Sequence, residues 1–453
     1  MLPRDWQKKI VDLNVSAFLS KDIQWADFVF ISAMSIQSKS VNKIITECKK
    51  YGATIVAGGP LFTAAYESYP EVDHLVLNEA EITLPQFLRD IEAGHPKRIY
   101  MTSEFPPISE TPVPDYRLLS MKHYASMNIQ FSRGCPFACD FCEITSLYGN
   151  KVRIKQTSQI INELDELYAL NWRGLVFFVD DNFIGNKRIL KSDLLPALKD
   201  WMQKRKYPFK FFTEASINLA DDDELLQLMT QSGFDSVFIG IETPEENSIE
   251  ECKKVQNKNR NLLQNIKKIQ HAGLQVSAGF IVGFDNDSPS IFQRQIDFIQ
   301  QSGIVSAMVG LLNAPKNTGL YKRLKAENRL LHESSGNNTD LGINFIPKMN
   351  YQDLLDGYRK IIREIYSIKP YYQRIRKFLL NFKPRFNNPV KISFPYIIAF
   401  FKSLLIIGFV HKGRSDYWKL LFWCLFRRPN KVAYAVTFAI YGYHYRKIFN
   451  LMN

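Results

Sequence analysis

Between Asn128 and Arg329 short apolar runs alternate with amphipathic stretches, and this rhythm leaves few folds open to the chain. The runs "NIQFSR", "GLVFFVDDN", "KFFTEASI", "SVFIGIET", "VSAGFIVGF" and "VSAMVGLLN" have the length and apolar content of buried strands. Stretches such as "SQIINELDELYALN", "DDDELLQLMTQSG" and "NRNLLQNIKKIQHAG" have helical periodicity and separate them. Parallel strands joined by crossover helices satisfy that order, and six such units predict a partial (β/α)6 barrel with its chemistry at the C-terminal mouth of the strands. An open doubly wound sheet is the competing arrangement.

The flanks divide the rest of the chain. Residues 1–100 carry their own α/β rhythm: "KKIVDLNV", "ADFVFISAM", a helix near Val41 to Tyr51, "ATIVAGGP" and "VDHLVLNEA". Residues 101–124 read as a linker, with four prolines in "EFPPISETPVPDYRLL" from Glu104. The barrel is expected over 125–330. From 331 to 453 the pattern becomes helical, beginning in earnest at "YQDLLDGYRKIIREIYSI".

Charge singles out this last region. The chain carries +13 at neutral pH, yet residues 370–453 hold fifteen Lys and Arg against the single acid Asp416, so everything before them is nearly neutral. Between the cations lie "ISFPYIIAFFKSLLIIGFVH" (392–411), "YWKLLFWCLF" and "VAYAVTFAIYGYH". The first is long enough to span a bilayer but contains Pro395 and Lys402, and the third is too short to span unaided. Apolar, aromatic-rich segments punctuated by cations fit a face lying on an anionic membrane surface, with an ordinary helical core or a true span as the other readings. Aromatic and aliphatic residues outweigh polar base-reading ones, so no nucleic-acid partner is expected. The start "MLPRDWQKKIVDLNV" lacks the apolar run and cleavage site of a secretory signal, and six cysteines do not form a spread-out disulfide framework. A reducing, cytoplasmic setting is expected, with the chain peripheral at the inner face of the membrane.

Three of those cysteines, Cys135, Cys139 and Cys142, crowd into "FSRGCPFACDFCEITSLYGN". A closed zinc site wants four ligands, and Cys48, Cys252 and Cys424 are isolated, with no histidine at finger spacing. A redox disulfide would need only two. Three thiolates on one loop can hold three irons of a 4Fe–4S cluster and leave the fourth iron open to a non-protein ligand.

The spacing C-x3-C-x2-C, with Phe141 before the last cysteine and the loop following the first barrel strand, resembles the radical S-adenosylmethionine (SAM) superfamily. That resemblance implies that SAM chelates the open iron through its amino and carboxylate groups. An electron from the cluster, supplied by a flavodoxin- or ferredoxin-type donor, then cleaves it to methionine and a 5′-deoxyadenosyl radical. By the same resemblance, Asp180, Asp181 and Asn182 would accept the SAM ammonium, where the family often has Gly-Gly-Glu. Glu214, Ser216 and Glu242 stand at the levels used for ribose and carboxylate, and Gly279, Ile281 and Gly283 match the G-x-I-x-G strand against which adenine lies. Arg153 and Lys155 are further candidates for neutralising the SAM carboxylate. Taken singly, each of these residues also suits a plainer role: a solvated strand cap, an interior hydrogen bond, a bend or a surface charge.

Residues 1–100 resemble the Rossmann-like cobalamin-binding domain of one branch of this superfamily. Ser32 and Met34 in "FISAMS" fit its S-x-L element, Gly58 and Gly59 in "VAGGP" would admit a nucleotide tail, and "LNEAE" has Asn78 where glycine is usual. None of the seven histidines sits in D-x-H-x-x-G, and the chain starts inside the domain as the family has it, so a gap is expected where a central strand would lie. Such a start implies either a misplaced Met1 or weak cobalamin binding. Through "FFVDDNFIGNK", "FFTEASINLADD", "GFDSVFIGIETP" and "AIYGYHYRK" the chain is similar to the hopanoid C-2 methylase group. The resemblance implies cobalamin-dependent C-methylation of an unactivated carbon in an apolar or lipid substrate. A radical rearrangement or oxidation with a vestigial first domain is the runner-up, and a non-catalytic iron–sulfur or zinc module is the reading from another class.

Overall fold

The computed structural model describes residues 1–334, 336, 342–384 and 394–449. The chain divides into two compact bodies, one of Met1–Asn186, Lys204–Phe209 and Asn313–Phe345, the other of Lys187–Gln203, Lys210–Leu312 and Ile346–Asn453.

In the first body β1 (Phe28–Ser32), β2 (Thr54–Gly58), β3 (His74–Val76) and β4 (Ile99–Tyr100) form a parallel sheet in the order β1-β2-β3-β4. Alternation along the strands builds its two faces. Ile55 and Ala57 join Val41, Ile45 and Phe62 in one buried cluster, while Val56 between them packs with Leu84, Phe87 and Tyr100 in another. Two expectations fail here. No gap interrupts the sheet, because β1 pairs directly with β2 through five residues from Phe28↔Thr54 to Ser32↔Gly58. "KKIVDLNV" is not a strand either: Ile10 and Leu13 stay exposed, and side chains tie the segment down instead. Trp6 stacks on Phe28 at 5.9 Å, Lys9 pairs with Asp22, and Asp12 accepts a hydrogen bond from the Tyr124 hydroxyl at 2.8 Å.

The second sheet has six strands, with parallel pairing of β5 to β8 in the first body and of β9 to β10, β10 to β11 and β11 to β12 in the second. They are β5 (Ser126–Ile129), β8 (Leu175–Phe178), β9 (Lys210–Ala215), β10 (Phe234–Glu242), β11 (Gln275–Val282) and β12 (Ala307–Leu311), while β6 (Ser132–Arg133) and β7 (Arg153–Ile154) make a small antiparallel pair. All six strand runs of the sequence are present, as the (β/α)6 reading requires. The crossover helices begin and end on local signals. Asp222 accepts from Leu225 N at 3.0 Å to start Asp223–Gln231, and Asn261 accepts from Gln264 N at 3.1 Å to start Leu262–Ala272. Gly273, left-handed at φ +107°, ends the latter. On β11, Val276, Ala278, Phe280 and Val282 are buried, so Gly279 and Ile281 share the opposite, partly open face.

The second body continues into helices Tyr351–Tyr366, Ile368–Asn381, Phe394–Ser403, Arg414–Arg427 and Val432–Phe449, with the π-helical stretch Leu404–Val410 after the third. Asn350 caps the first, and a Cβ on its Gly357 would meet the Phe292 ring at 2.3 Å, so only glycine lets these helices pack so closely. Arg374, fully buried, spreads its guanidinium over the Gln300 side chain and the carbonyls of Ile365 and Val305 at 2.6, 2.8 and 3.3 Å. The segment 392–411 starts outside the described residues, and none of the described helices is long and apolar enough to cross a membrane.

Replacing Arg374 by alanine takes the donor from two buried carbonyls and from the part-buried Gln300 oxygen. Arg374→Ala is expected to destabilise the protein by about 3 kcal/mol, read as a lowered midpoint in denaturant.

Candidate functional site

In the first body the three cysteines lie on the loop that follows β5. All three are half-buried, none is in a disulfide, and Cys142 N donates to Cys139 O at 3.1 Å, which folds the second half of the motif into a tight turn. Gly134, at φ +91°, opens the loop where a Cβ would lie 2.9 Å from Lys151 O and 3.1 Å from Gly149 O. Three thiols on one such loop could each take a separate iron of a 4Fe–4S cluster. Phe141 is half-buried within the same turn.

The acidic end of β8 holds this loop. Asp180 accepts from Phe131 N at 3.1 Å and from both the backbone N and the hydroxyl of Ser132, while Asp181 accepts from Gly134 N at 3.1 Å. Burial pushes the Asp180 carboxyl up to about 7 and raises Asp181 as well. Read from sequence as acceptors for an ammonium group, these two residues direct their oxygens at the loop's own backbone. Asn182 is buried beside them.

A second set of charges reaches the loop from the first sheet. Glu79 sits at the N-terminus of helix Ala80–Glu92, where the helix dipole favours a carboxylate. It takes Arg133 on one oxygen and Arg153 on both, the latter at 2.6 and 2.8 Å. Glu81 receives Arg133 Nη2 at 3.2 Å and the Thr111 hydroxyl at 2.9 Å. Burial works to raise the Glu81 carboxyl, but Arg133 outweighs it and holds Glu81 below its usual range. Arg153 also donates to Pro106 O and Tyr148 O, and Lys155 is buried in an ion pair with Glu163 at 2.5 Å. Read from sequence as partners for the SAM carboxylate, Arg153 and Lys155 are each paired with a carboxylate of the protein itself.

At the edge of the first sheet, Ser32 and Gly58 are register partners, and a Cβ on Gly59 (φ +85°) would lie 2.8 Å from Ser32 Oγ. A Cβ on Gly58 would lie 2.5 Å from Val76 O. Ser32, Gly58 and Gly59 are thus brought together, and Met34 stands exposed beyond them. Asn78 has φ +62° and donates its N–H to Thr63 Oγ1 at 2.9 Å. The left-handed conformation accounts for asparagine where the resemblance leads one to expect glycine.

The remaining candidates lie in the second body. Glu242 ends β10 in a left-handed conformation, φ +63°, a strain of about 1–3 kcal/mol that surrounding contacts must hold. Its carboxylate meets Lys254 Nζ at 2.5 Å, in space that exists because residue 240 is glycine: a Cβ there would lie 2.4 Å from Glu242 Oε1. Gly279 lies beneath the other oxygen, its notional Cβ 4.0 Å from Oε2. Gln295 donates to Ile281 O at 2.7 Å and Glu242 O at 3.2 Å, and Asn257 to Ile241 O at 3.0 Å, fixing the bend. Gly283 (φ +108°) and Phe284 donate their N–H groups to Asp287 at 2.8 and 3.1 Å. Glu214 lies on the partly open face of β9, and Ser216, just past that strand, donates to Asn218 at 2.6 Å. Sequence reasoning missed Lys254, Asn257, Gln295 and Glu79. No spacing rule marks the first three, and Glu79 is marked only by its place in "LNEAE".

A parallel-stranded β/α enzyme whose first strand delivers three thiols is the class this geometry defines. Residues 129–299 match the Radical SAM superfamily, and residues 318–453 match a domain of unknown function, DUF4070. An uncharacterized methyltransferase of Synechocystis sp. is 41% identical over 98% of this chain and 84% of its own length. The hopanoid C-2 methylase of Rhodopseudomonas palustris is 36% identical over 74% of this chain, which spans 64% of that protein. Among solved structures, the radical SAM methyltransferase TsrM from Kitasatospora setae, with cobalamin and a 4Fe–4S cluster bound, superposes with a TM-score of 0.61 at 13% identity, over 94% of this chain and 91% of that one. The cobalamin-dependent radical enzyme OxsB does so at 0.58 and 14%, over 93% and 76%. The chain belongs to the radical SAM superfamily and is an enzyme, and membership implies a 4Fe–4S cluster and SAM.

Two substitutions test these local arrangements. Glu79→Gln breaks a buried pair network and is expected to cost about 3 kcal/mol and to lower iron and sulfide retained after anaerobic purification. Burial lifts the Asp287 carboxyl to about 6, so the folded state binds that proton more tightly than the unfolded chain. Its contribution is present below pH about 4 and is lost as pH rises through about 6. Asp287→Asn, which keeps an acceptor for Gly283 N and Phe284 N, is expected to flatten this part of a thermal-stability profile against pH and to raise the melting temperature at pH 7.

Proposed function

We propose that this protein is a cobalamin-dependent radical SAM methyltransferase that methylates an unactivated carbon of an apolar or lipid substrate. The observation that carries the reading is the 41% identity to a methyltransferase over 98% of the chain, seconded by the hopanoid C-2 methylase. Cys135, Cys139 and Cys142 would hold three irons of the cluster, and Ser32, Met34, Gly58 and Gly59 would border the cobalamin within a first domain of residues 1–100. Bound there, these groups supply one-electron reduction of SAM and a transferable methyl group, which no side chain can provide.

The chain's own residues bind and orient. Asp180 and Asp181 keep the cysteine loop in one shape, so the three thiols need not be ordered when the cluster enters. Gly279 on β11 and Gly283 just past it, packed against Phe238 and Leu354, would border a flat ring, and Ile281 would offer it an apolar flank. The strained Glu242 carboxylate, held by Lys254, is the acceptor suited to a ribose hydroxyl. Phe141, Asn182, Glu214 and Ser216 complete the proposed SAM-binding set. A flavodoxin- or ferredoxin-type protein would supply electrons.

Protein purified anaerobically and reconstituted with iron, sulfide and cobalamin, then given reductant, methyl-labelled SAM and lipid extract, is expected to yield labelled lipid. Cleavage of SAM without any labelled product would instead favour a rearrangement or oxidation.

A further inference from the structure

We propose that the face formed by residues 397–410 and helix Arg414–Arg427 docks in the plane of an anionic lipid bilayer. Along the first segment Ile397, Phe401, Leu405 and Phe409 recur every fourth residue and are all exposed, Leu405 at 62% and Phe409 at 61%. Ile398, Ile406 and Val410 lie beside them. On the second helix Phe422, Leu425 and Phe426 are exposed, Phe426 at 82%. The opposite sides are ordinary core: Ile407, Tyr417, Leu420, Leu421 and Cys424 are buried. An aromatic ladder makes the two stripes one surface. Phe409 meets Trp418 edge-on at 5.9 Å, and Trp418 stacks on Phe422 at 5.5 Å. The indole approaches because residue 408 is glycine, whose carbonyl accepts from Trp418 Nε1 at 2.8 Å.

An exposed apolar surface of this kind calls for a covering partner, and the charges around it say which. Lys402, Lys412, Arg414, Lys419, Arg427 and Arg428 are all exposed, whereas the single acid, Asp416, is half-buried. A second copy of the chain would oppose these cations to themselves across a two-fold axis, and their repulsion argues against it. Anionic headgroups neutralise them while acyl chains receive the phenylalanines and leucines. None of the described helices can cross the membrane, so the face lies in the interface. This placement would give an enzyme acting on lipid its substrate without desorption.

Cosedimentation of the full-length protein with phosphatidylcholine vesicles, with and without phosphatidylglycerol, tests the proposal and needs no cofactor. Its failure is thus separable from failure of methyl transfer. Binding is expected only with phosphatidylglycerol present, weakening as salt is raised, and falling about fivefold for each cation removed in Lys412→Gln and Lys419→Gln. Leu405→Asp combined with Phe426→Asp alters only exposed side chains and is expected to lower binding at least about tenfold with the circular dichroism spectrum unchanged. Equal binding to both vesicles, no binding, or unchanged binding by the double variant would overturn the proposal. So would a dimer that dissociates in that variant, since a second copy would then be the occupant.

Discussion

Glu79 is the residue on which the cysteine loop's placement depends. A buried carboxylate must be paired, and this one is paired with two arginines, one immediately before the cysteine motif and one just after it. Because Glu79 belongs to the helix that follows β3 of the first sheet, the loop is tied to a domain distant in sequence. Glu81 holds Arg133 as well, and the Pro106 and Tyr148 carbonyls hold Arg153, so the loop is anchored at several points around Glu79. Asp180 and Asp181 add a second grip from β8 through backbone N–H groups, which no side-chain substitution in the loop can remove.

In the second body the same economy works through small residues. Gly240 clears the space in which Glu242 meets Lys254, while Gln295 and Asn257 tie down the carbonyls of the strained turn. Strain at Glu242 persists because its neighbours over-determine it. In both bodies the candidate residues sit at strand C-termini, where a parallel sheet ends in unpaired backbone groups and loops.

Much of this was legible in the chain. Six apolar runs of strand length had to become six buried parallel strands, because the intervening helices leave no antiparallel alternative. The cysteine spacing marked its loop without help from geometry. The partners of the charged residues were not legible: Arg153 meets Glu79, Lys155 meets Glu163, and Asp180 accepts from the backbone of the loop. Ion-pair partners at separations such as Glu79 and Arg153 cannot be inferred from local pattern, since nothing in a residue's neighbours says which distant carboxylate it will face. "KKIVDLNV" failed for a related reason. Its alternation is strand-like, but Ile10 and Leu13 are buried against nothing, and side-chain contacts from Trp6, Lys9 and Asp12 hold the segment instead.

The sequence by itself determined the class of fold, the three thiols and the basic, aromatic tail, because periodicity, spacing and composition are local properties. Only the tertiary structure decided how the charges are spent and which apolar residues of the tail remain uncovered. Burial and pairing arise between segments far apart in sequence, and a carboxylate's role changes entirely with whether its partner comes from the protein or from a ligand.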